Sequence, residues 1–125
     1  MRTRKLGKTA LELTTVGLGT WAIGGGNWSF AWGPQDDDAS IATIRRALDL
    51  GVNWVDTAPA YGLGHSEEIV GRAIRGRRDD VIVATKCGLV WDEGKREVYG
   101  RLTADSVRRE IDDSLRRLDI DVIDL

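Results

Sequence analysis

Three short apolar runs, each ending in polar residues and each followed by a stretch of helical periodicity, constrain this 125-residue chain most. Val16-Gly17-Leu18-Gly19-Thr20, Asn53-Trp54-Val55-Asp56-Thr57 and Val81-Ile82-Val83-Ala84-Thr85-Lys86 read as buried strands. After the first, Asp36, Asp37 and Asp38 supply an N-cap and favourable charge for a helix. Ile41, Ile44, Ala47 and Leu48 recur along it at helical spacing, and Gly51 is a natural stop. After the second run, Ser66 is expected to cap a helix with Ile69, Val70, Ala73 and Ile74 apolar and Gly76 near its end. After the third, Thr103 caps a helix whose apolar face is expected to be Val107, Ile111, Leu115 and Leu118. Asp112 with Arg116, and Asp113 with Arg117, are i,i+4 pairs on its wet side. Val122-Ile123-Asp124-Leu125 reads as the start of a fourth strand.

Ahead of this pattern, residues 2–7 and 10–13 suggest a tight hairpin around Gly7-Lys8. Residues 21–35 form a glycine-rich loop carrying Trp21, Trp28 and Trp32, and residues 87–102 a long polar one containing Trp91 and Tyr99. Strands alternating with helices mean a parallel sheet covered by helices. Two α/β architectures fit, an open doubly wound sheet or part of a (β/α)8 barrel. A closed barrel takes about 250 residues, twice what is present. Residues 1–125 are therefore expected to be a single partial domain.

The balance of the chain excludes several classes of partner. It is 42% hydrophobic and 30% charged, with a net charge of −2 and both signs interspersed. No nucleic acid or membrane surface is expected as partner. The basic start, Met1 to Lys5, is not followed by an apolar signal segment, and no run approaches the roughly 20 apolar residues a bilayer demands. A lone cysteine, Cys87, fits a reducing cytoplasm and reads as a small buried or half-buried thiol. No metal site is expected.

Gly17-Leu18-Gly19-Thr20-Trp21-Ala22 matches the dinucleotide fingerprint, but Gly24, Gly25, Gly26 and Pro34 block the helix that this motif must open. The stronger signal is Asp56, Tyr61 and Lys86, each at or just beyond the C-terminal end of a strand, where parallel α/β proteins do their chemistry. A phenol titrates near ~10 and so holds its proton tightly at neutral pH. An adjacent ammonium stabilises the phenolate and makes a phenol a usable general acid, and a carboxylate keeps that ammonium charged and oriented. Such a trio suits protonating a carbonyl oxygen while hydride arrives at carbon. The bland alternative is a loop cap, a half-buried turn residue and a solvated strand end.

The text around these residues resembles the aldo-keto reductases. The matching stretches are Gly17 to Trp21, Asp56-Thr57-Ala58-Pro59-Ala60-Tyr61-Gly62, Gly64-His65-Ser66-Glu67-Glu68 with Gly71, and Ala84-Thr85-Lys86. Ser114 to Leu118 and Asp121 to Leu125 match too. The chain looks closest to the bacterial, stress-protein-like branch. The resemblance implies the N-terminal half of a (β/α)8 barrel with a hairpin closing its bottom, and NADPH-dependent reduction of aldehydes and ketones. It implies Tyr61 as general acid with Lys86 and Asp56 as its partners. Gly19, Thr20, Trp21 and Asp56 correspond to positions near the nicotinamide. Trp21, Trp32 and Trp91 are expected to line the substrate site. Trp28 and Phe30 either line its mouth or pack that loop against Trp91.

The family pattern also includes a histidine after the fourth strand and nucleotide contacts in the second half of the barrel, both beyond residue 125. His65 falls at a variable position and reads as a loop histidine. These 125 residues alone are expected to turn over little. Strand edges at 16–20 and 122–125 invite self-association or pairing with a C-terminal half. The alternative function is a non-catalytic nucleotide-binding barrel subunit acting through a protein partner. Trp54 is expected to lie under a helix, and Arg75, Arg77 and Arg78 to form a basic loop away from the active rim.

Overall fold

The computed structural model describes residues 1–92, 94 and 97–125. The chain opens with an antiparallel hairpin of β1 (Thr3–Lys5) and β2 (Glu12–Thr14), with Arg4 opposite Leu13. A parallel sheet follows, in the order β3 (Leu18–Gly19), β4 (Trp54–Asp56) and β5 (Ile82–Ala84). Helix α1 (Asp37–Asp49) joins β3 to β4, and α2 (His65–Ile74) joins β4 to β5. After β5 comes a second hairpin, β6 (Leu89–Trp91) with β7 (Val98–Gly100), and then α3 (Ala104–Leu118).

The helix signals operate as local chemistry requires. Asp36 caps α1 by accepting from the Ala39 N–H, and Gly51 follows its end at φ +88°. Thr103 caps α3 through the Ser106 N–H. At α2 the expected cap is corrected: the helix starts at His65 behind Gly64, which takes φ +101°, and Ser66 is fully buried.

Val55 and Val83, paired in register, point from the sheet into one apolar cluster. Ile44 and Leu48 of α1, Ile69, Val70, Ala73 and Ile74 of α2, and Leu118 of α3 all meet them there. Burying each of the Val, Leu and Ile side chains stabilises the fold by roughly 1.5–3 kcal/mol. All three helices thus cover one face, and the strands follow chain order without reversal. A doubly wound sheet has helices on both faces and a switch in strand order, so the arrangement is that of a barrel wall.

The opposite face of β4 carries Trp54 and Asp56, which corrects the expectation that a helix covers Trp54. Its indole lies where a Gly17 Cβ would stand and donates to the Thr14 carbonyl at 3.0 Å. Asn53 accepts from the Thr14 N–H at 2.8 Å and donates to Glu12 O at 2.8 Å. Asn53 and Trp54 therefore pin the first hairpin beneath the sheet.

The loop expected over 87–102 is instead largely the β6–β7 hairpin; Glu93, Lys95 and Arg96 lie outside the described residues. Helix α3 turns Ser106, Glu110, Ser114 and Leu118 inward, while Ile111 is 43% exposed. The reason is close approach to α2: a Cβ on Gly71 would stand 2.4 Å from Leu118 O. Small and hydrogen-bonded residues therefore occupy much of the inner stripe. Arg116 pairs with Asp113 and Arg117 with Glu67, in place of the expected i,i+4 pairs. Residues 122–125 run beside β5 without forming a full strand: Leu125 N donates to Val83 O and Leu125 O accepts from Thr85 N. Arg75, Arg77 and Arg78 are each paired, to Asp119, Asp49 and Asp124, and make no basic patch.

Candidate active site

The C-terminal ends of β3, β4 and β5 bring Gly19-Thr20-Trp21, Asp56-Thr57 and Thr85-Lys86 to one rim. Lys86 Nζ donates to Asp56 Oδ1 at 2.7 Å and to the Thr57 carbonyl at 2.9 Å. An ammonium has three protons, so one remains. The same nitrogen lies 5.1 Å from the centroid of the Tyr61 ring. The charge is half-exposed, which keeps the pair hydrated and its mutual attraction moderate.

Tyr61 reaches this rim because its loop is locked against the one after β3. A Cβ on Gly24 would stand 2.6 Å from Gly62 N, and one on Gly62 would stand 2.1 Å from Gly24 O. Only two glycines permit that backbone contact, and Gly62 also has φ +66°. The short 3-10 turn Ala22–Gly24 results where sequence reading placed only loop. Above it, the Trp21 and Tyr61 rings stack at 5.7 Å and 4°.

Beneath the rim lies a buried hydroxyl cluster that sequence reading missed. Ser66 Oγ is 2.8 Å from Thr20 Oγ1, 3.0 Å from Thr20 O and 3.1 Å from Thr57 Oγ1. Thr20 Oγ1 donates to Asp56 O at 3.1 Å. Thr20 is completely buried, and its side chain joins strand ends.

A cleft of about 350 Å³ opens over Tyr61 and Lys86, walled by Trp21, Trp28, Phe30 and Leu89. Trp28 and Phe30, whose roles the sequence left open, face this cleft. Two expected lining residues stand outside its wall. Trp32 is 75% exposed and, among the described residues, approaches the site through Trp21, at 6.3 Å between ring centroids. Trp91 is drawn to α3, where the Arg117 guanidinium lies 5.7 Å from its ring centroid. Cys87 is corrected to an exposed thiol at the cleft edge. His65 begins α2 and bonds Asp37 at 2.8 Å; it is a helix-start residue, not a loop one.

The rim fits the reactive end of a nicotinamide nucleotide. Gly19 pairs in register with Asp56, and a Cβ built on it would meet nothing within 4 Å, so an open backbone surface adjoins the carboxylate. Lys86 is the one charged residue among the described residues lining the cleft, which leaves the phosphates of such a molecule without a partner there.

Comparison with known proteins agrees with this geometry. The profile of the Aldo/keto reductase family matches residues 15–125. The chain is 46% identical over 127 residues to the aldo-keto reductase YhdN of Bacillus subtilis, covering 100% of this chain and 37% of that protein. It is 45% identical over 135 residues to the NADH-specific methylglyoxal reductase of Escherichia coli, covering 100% of this chain and 40% of the relative. Among solved structures, the holo form of aldo-keto reductase AKR11C1 from Bacillus halodurans superposes with a TM-score of 0.87 at 32% identity, over 98% of this chain and 38% of that one. An aldo-keto reductase from Klebsiella pneumoniae in complex with NADPH gives 0.70 at 32% identity, over 90% and 34%. The chain thus spans well under half the length of the proteins it matches. It has the fold of the N-terminal portion of their (β/α)8 barrel, and it belongs to the aldo/keto reductase family.

Proposed function

We propose that this chain supplies the proton-donating side of a cytoplasmic, NADPH-dependent carbonyl reductase site, with Tyr61 as general acid. The observation that carries the reading is the Lys86–Asp56 pair at 2.7 Å, with its ammonium 5.1 Å from the Tyr61 ring centroid. An aldehyde or ketone seated in the aromatic cleft receives the phenol proton on its oxygen as negative charge develops there. Lys86 keeps a cation beside the phenolate that remains. Asp56 holds the ammonium in place, and the stacked Trp21 restricts the Tyr61 ring. The open backbone at Gly19 beside Asp56 would hold a reduced nicotinamide, which would supply the hydride that completes reduction of the carbonyl to an alcohol. General-acid catalysis of this kind contributes about 10²–10⁴-fold in rate.

The NADPH-bound Klebsiella pneumoniae structure supports the choice of NADPH, while the NADH-specific Escherichia coli relative makes that choice a matter for direct comparison. We propose that these 125 residues alone turn over little. Their sole histidine is engaged with Asp37, and the cleft carries no cation besides Lys86 among the described residues. Exposed Ile111, Val122 and Leu125 support pairing of this edge with the remainder of a barrel. The test is carbonyl-dependent NADPH oxidation by the chain, alone and joined to the C-terminal portion of the Bacillus subtilis relative. Turnover only in the joined protein is expected. Robust turnover by the 125 residues alone, or none by a folded joined protein, would contradict the reading.

A further inference from the structure

Lys86 sits in a segment, residues 85–88, that is gripped from below on both sides. On one side, Thr85 Oγ1 donates to Glu67 Oε1 at 2.6 Å. Glu67, on α2, is completely buried, and its other oxygen accepts from Arg117 Nε of α3 at 2.7 Å. On the other side, the Gly88 N–H donates to Glu110 Oε2 at 2.6 Å. Glu110, on α3, is 8% exposed, and its second oxygen accepts from Ser106 Oγ at 2.9 Å. Two carboxylates on different helices thus hold the residue before Lys86 and the residue two after it.

Burying carboxylates is costly, and replacing a whole buried ion pair with well-packed apolar residues is often neutral for stability. Bonds to a charged acceptor are short and strong, and they fix position as well as adding energy. A lysine side chain is a flexible four-carbon stem, so its nitrogen is placed only as well as its backbone. The grip at 85 and 88 answers that need. It also sets Gly88 at φ +97°, where the chain turns from β5 into the β6–β7 hairpin.

We propose that Glu67 and Glu110 are positioning residues that hold Thr85 and Gly88 and thereby fix the Lys86 ammonium against Asp56 and Tyr61. The role rests on the reading of Lys86 as part of the active site. The fixing itself can be measured without turnover.

The experiment is trace acetylation of the 125-residue protein with limiting acetic anhydride, with Lys86 quantified against Lys5 by mass spectrometry. Asp56→Asn gives the rate of a Lys86 amine freed from its carboxylate partner. Glu67→Ala and Glu110→Ala should each raise Lys86 acetylation about tenfold, the loss of one hydrogen bond to a charged group, with Lys5 unchanged. Glu110→Gln, which keeps an acceptor for Gly88, should restore a rate near wild type. An unchanged Lys86 rate in folded Glu67→Ala and Glu110→Ala overturns the proposal. Should the alanine variants not fold, amide hydrogen exchange on the unaltered protein decides: Gly88 N–H should be strongly protected, and exchange at the free-chain rate overturns the grip. None of these readouts depends on Lys86 serving a reaction, so failure here is distinct from failure of the functional reading.

Discussion

Gly71→Ala sets two physical effects against each other at one position in α2. Helix propensity alone favours the substitution, because glycine costs about 0.8–1.0 kcal/mol relative to alanine in a helix interior. The tertiary structure opposes it. The new methyl would stand 2.4 Å from Leu118 O, 2.7 Å from Leu118 C and 3.0 Å from Arg117 O. Weak carbon–oxygen contacts settle near about 3.3–3.6 Å, so α2 and α3 must separate by roughly 1 Å. All three atoms are backbone, and no rotamer change relieves the clash. Overpacking of a rigid site costs about 1–3 kcal/mol, and the absence of relief places this one at the upper end. With the propensity gain subtracted, a net loss of about 2 kcal/mol remains. For a chain of this size that lowers Tm by about 8 °C. Thermal and urea unfolding followed by circular dichroism and tryptophan fluorescence measure it. A Gly71→Ala protein as stable as wild type, or more stable, would refute the close-packing argument.

Other positions give comparable tests. Gly17→Ala would place a methyl 2.1 Å from the Trp54 ring and should cost about 1–3 kcal/mol, with an altered tryptophan emission maximum. Arg117→Met leaves the carboxylate of Glu67 buried without its partner and should destabilise by about 3–5 kcal/mol in urea titration, whereas Arg108→Met, at an exposed pair, should change little. Ser66→Ala removes the proton shared by Thr20 and should cost about 1–3 kcal/mol, measured by thermal unfolding.

The three parallel strands and the three helices were legible because their signals are local. An aspartate before an apolar periodic stretch caps α1, and threonine does the same for α3. Asp56, Tyr61 and Lys86 were legible because each stands at a strand end or just past it. What escaped depends on contacts between distant segments. Ser66 has the form of a cap, yet its hydroxyl is claimed by Thr20, 46 positions earlier. Ser106 and Glu110 look like solvent-facing residues until α3 packs close on α2, an approach marked in the sequence by Gly71 and Gly64. Trp91 and Trp32 read as cleft residues from loop composition, but composition does not tell which way a ring turns. A cation on α3 takes one ring, and the other lies outward beside Trp21.

On the proposed reading, Tyr61 donates the proton in carbonyl reduction, beside the Lys86–Asp56 pair. Its most direct test is Tyr61→Phe in the joined, full-length barrel, with turnover and nicotinamide nucleotide affinity measured on the same preparation. The substitution keeps the ring that stacks on Trp21 and removes only the hydroxyl. Turnover should fall about 10²–10⁴-fold while nucleotide affinity is retained. Undiminished turnover in Tyr61→Phe would contradict this role and place the proton donor elsewhere in the barrel.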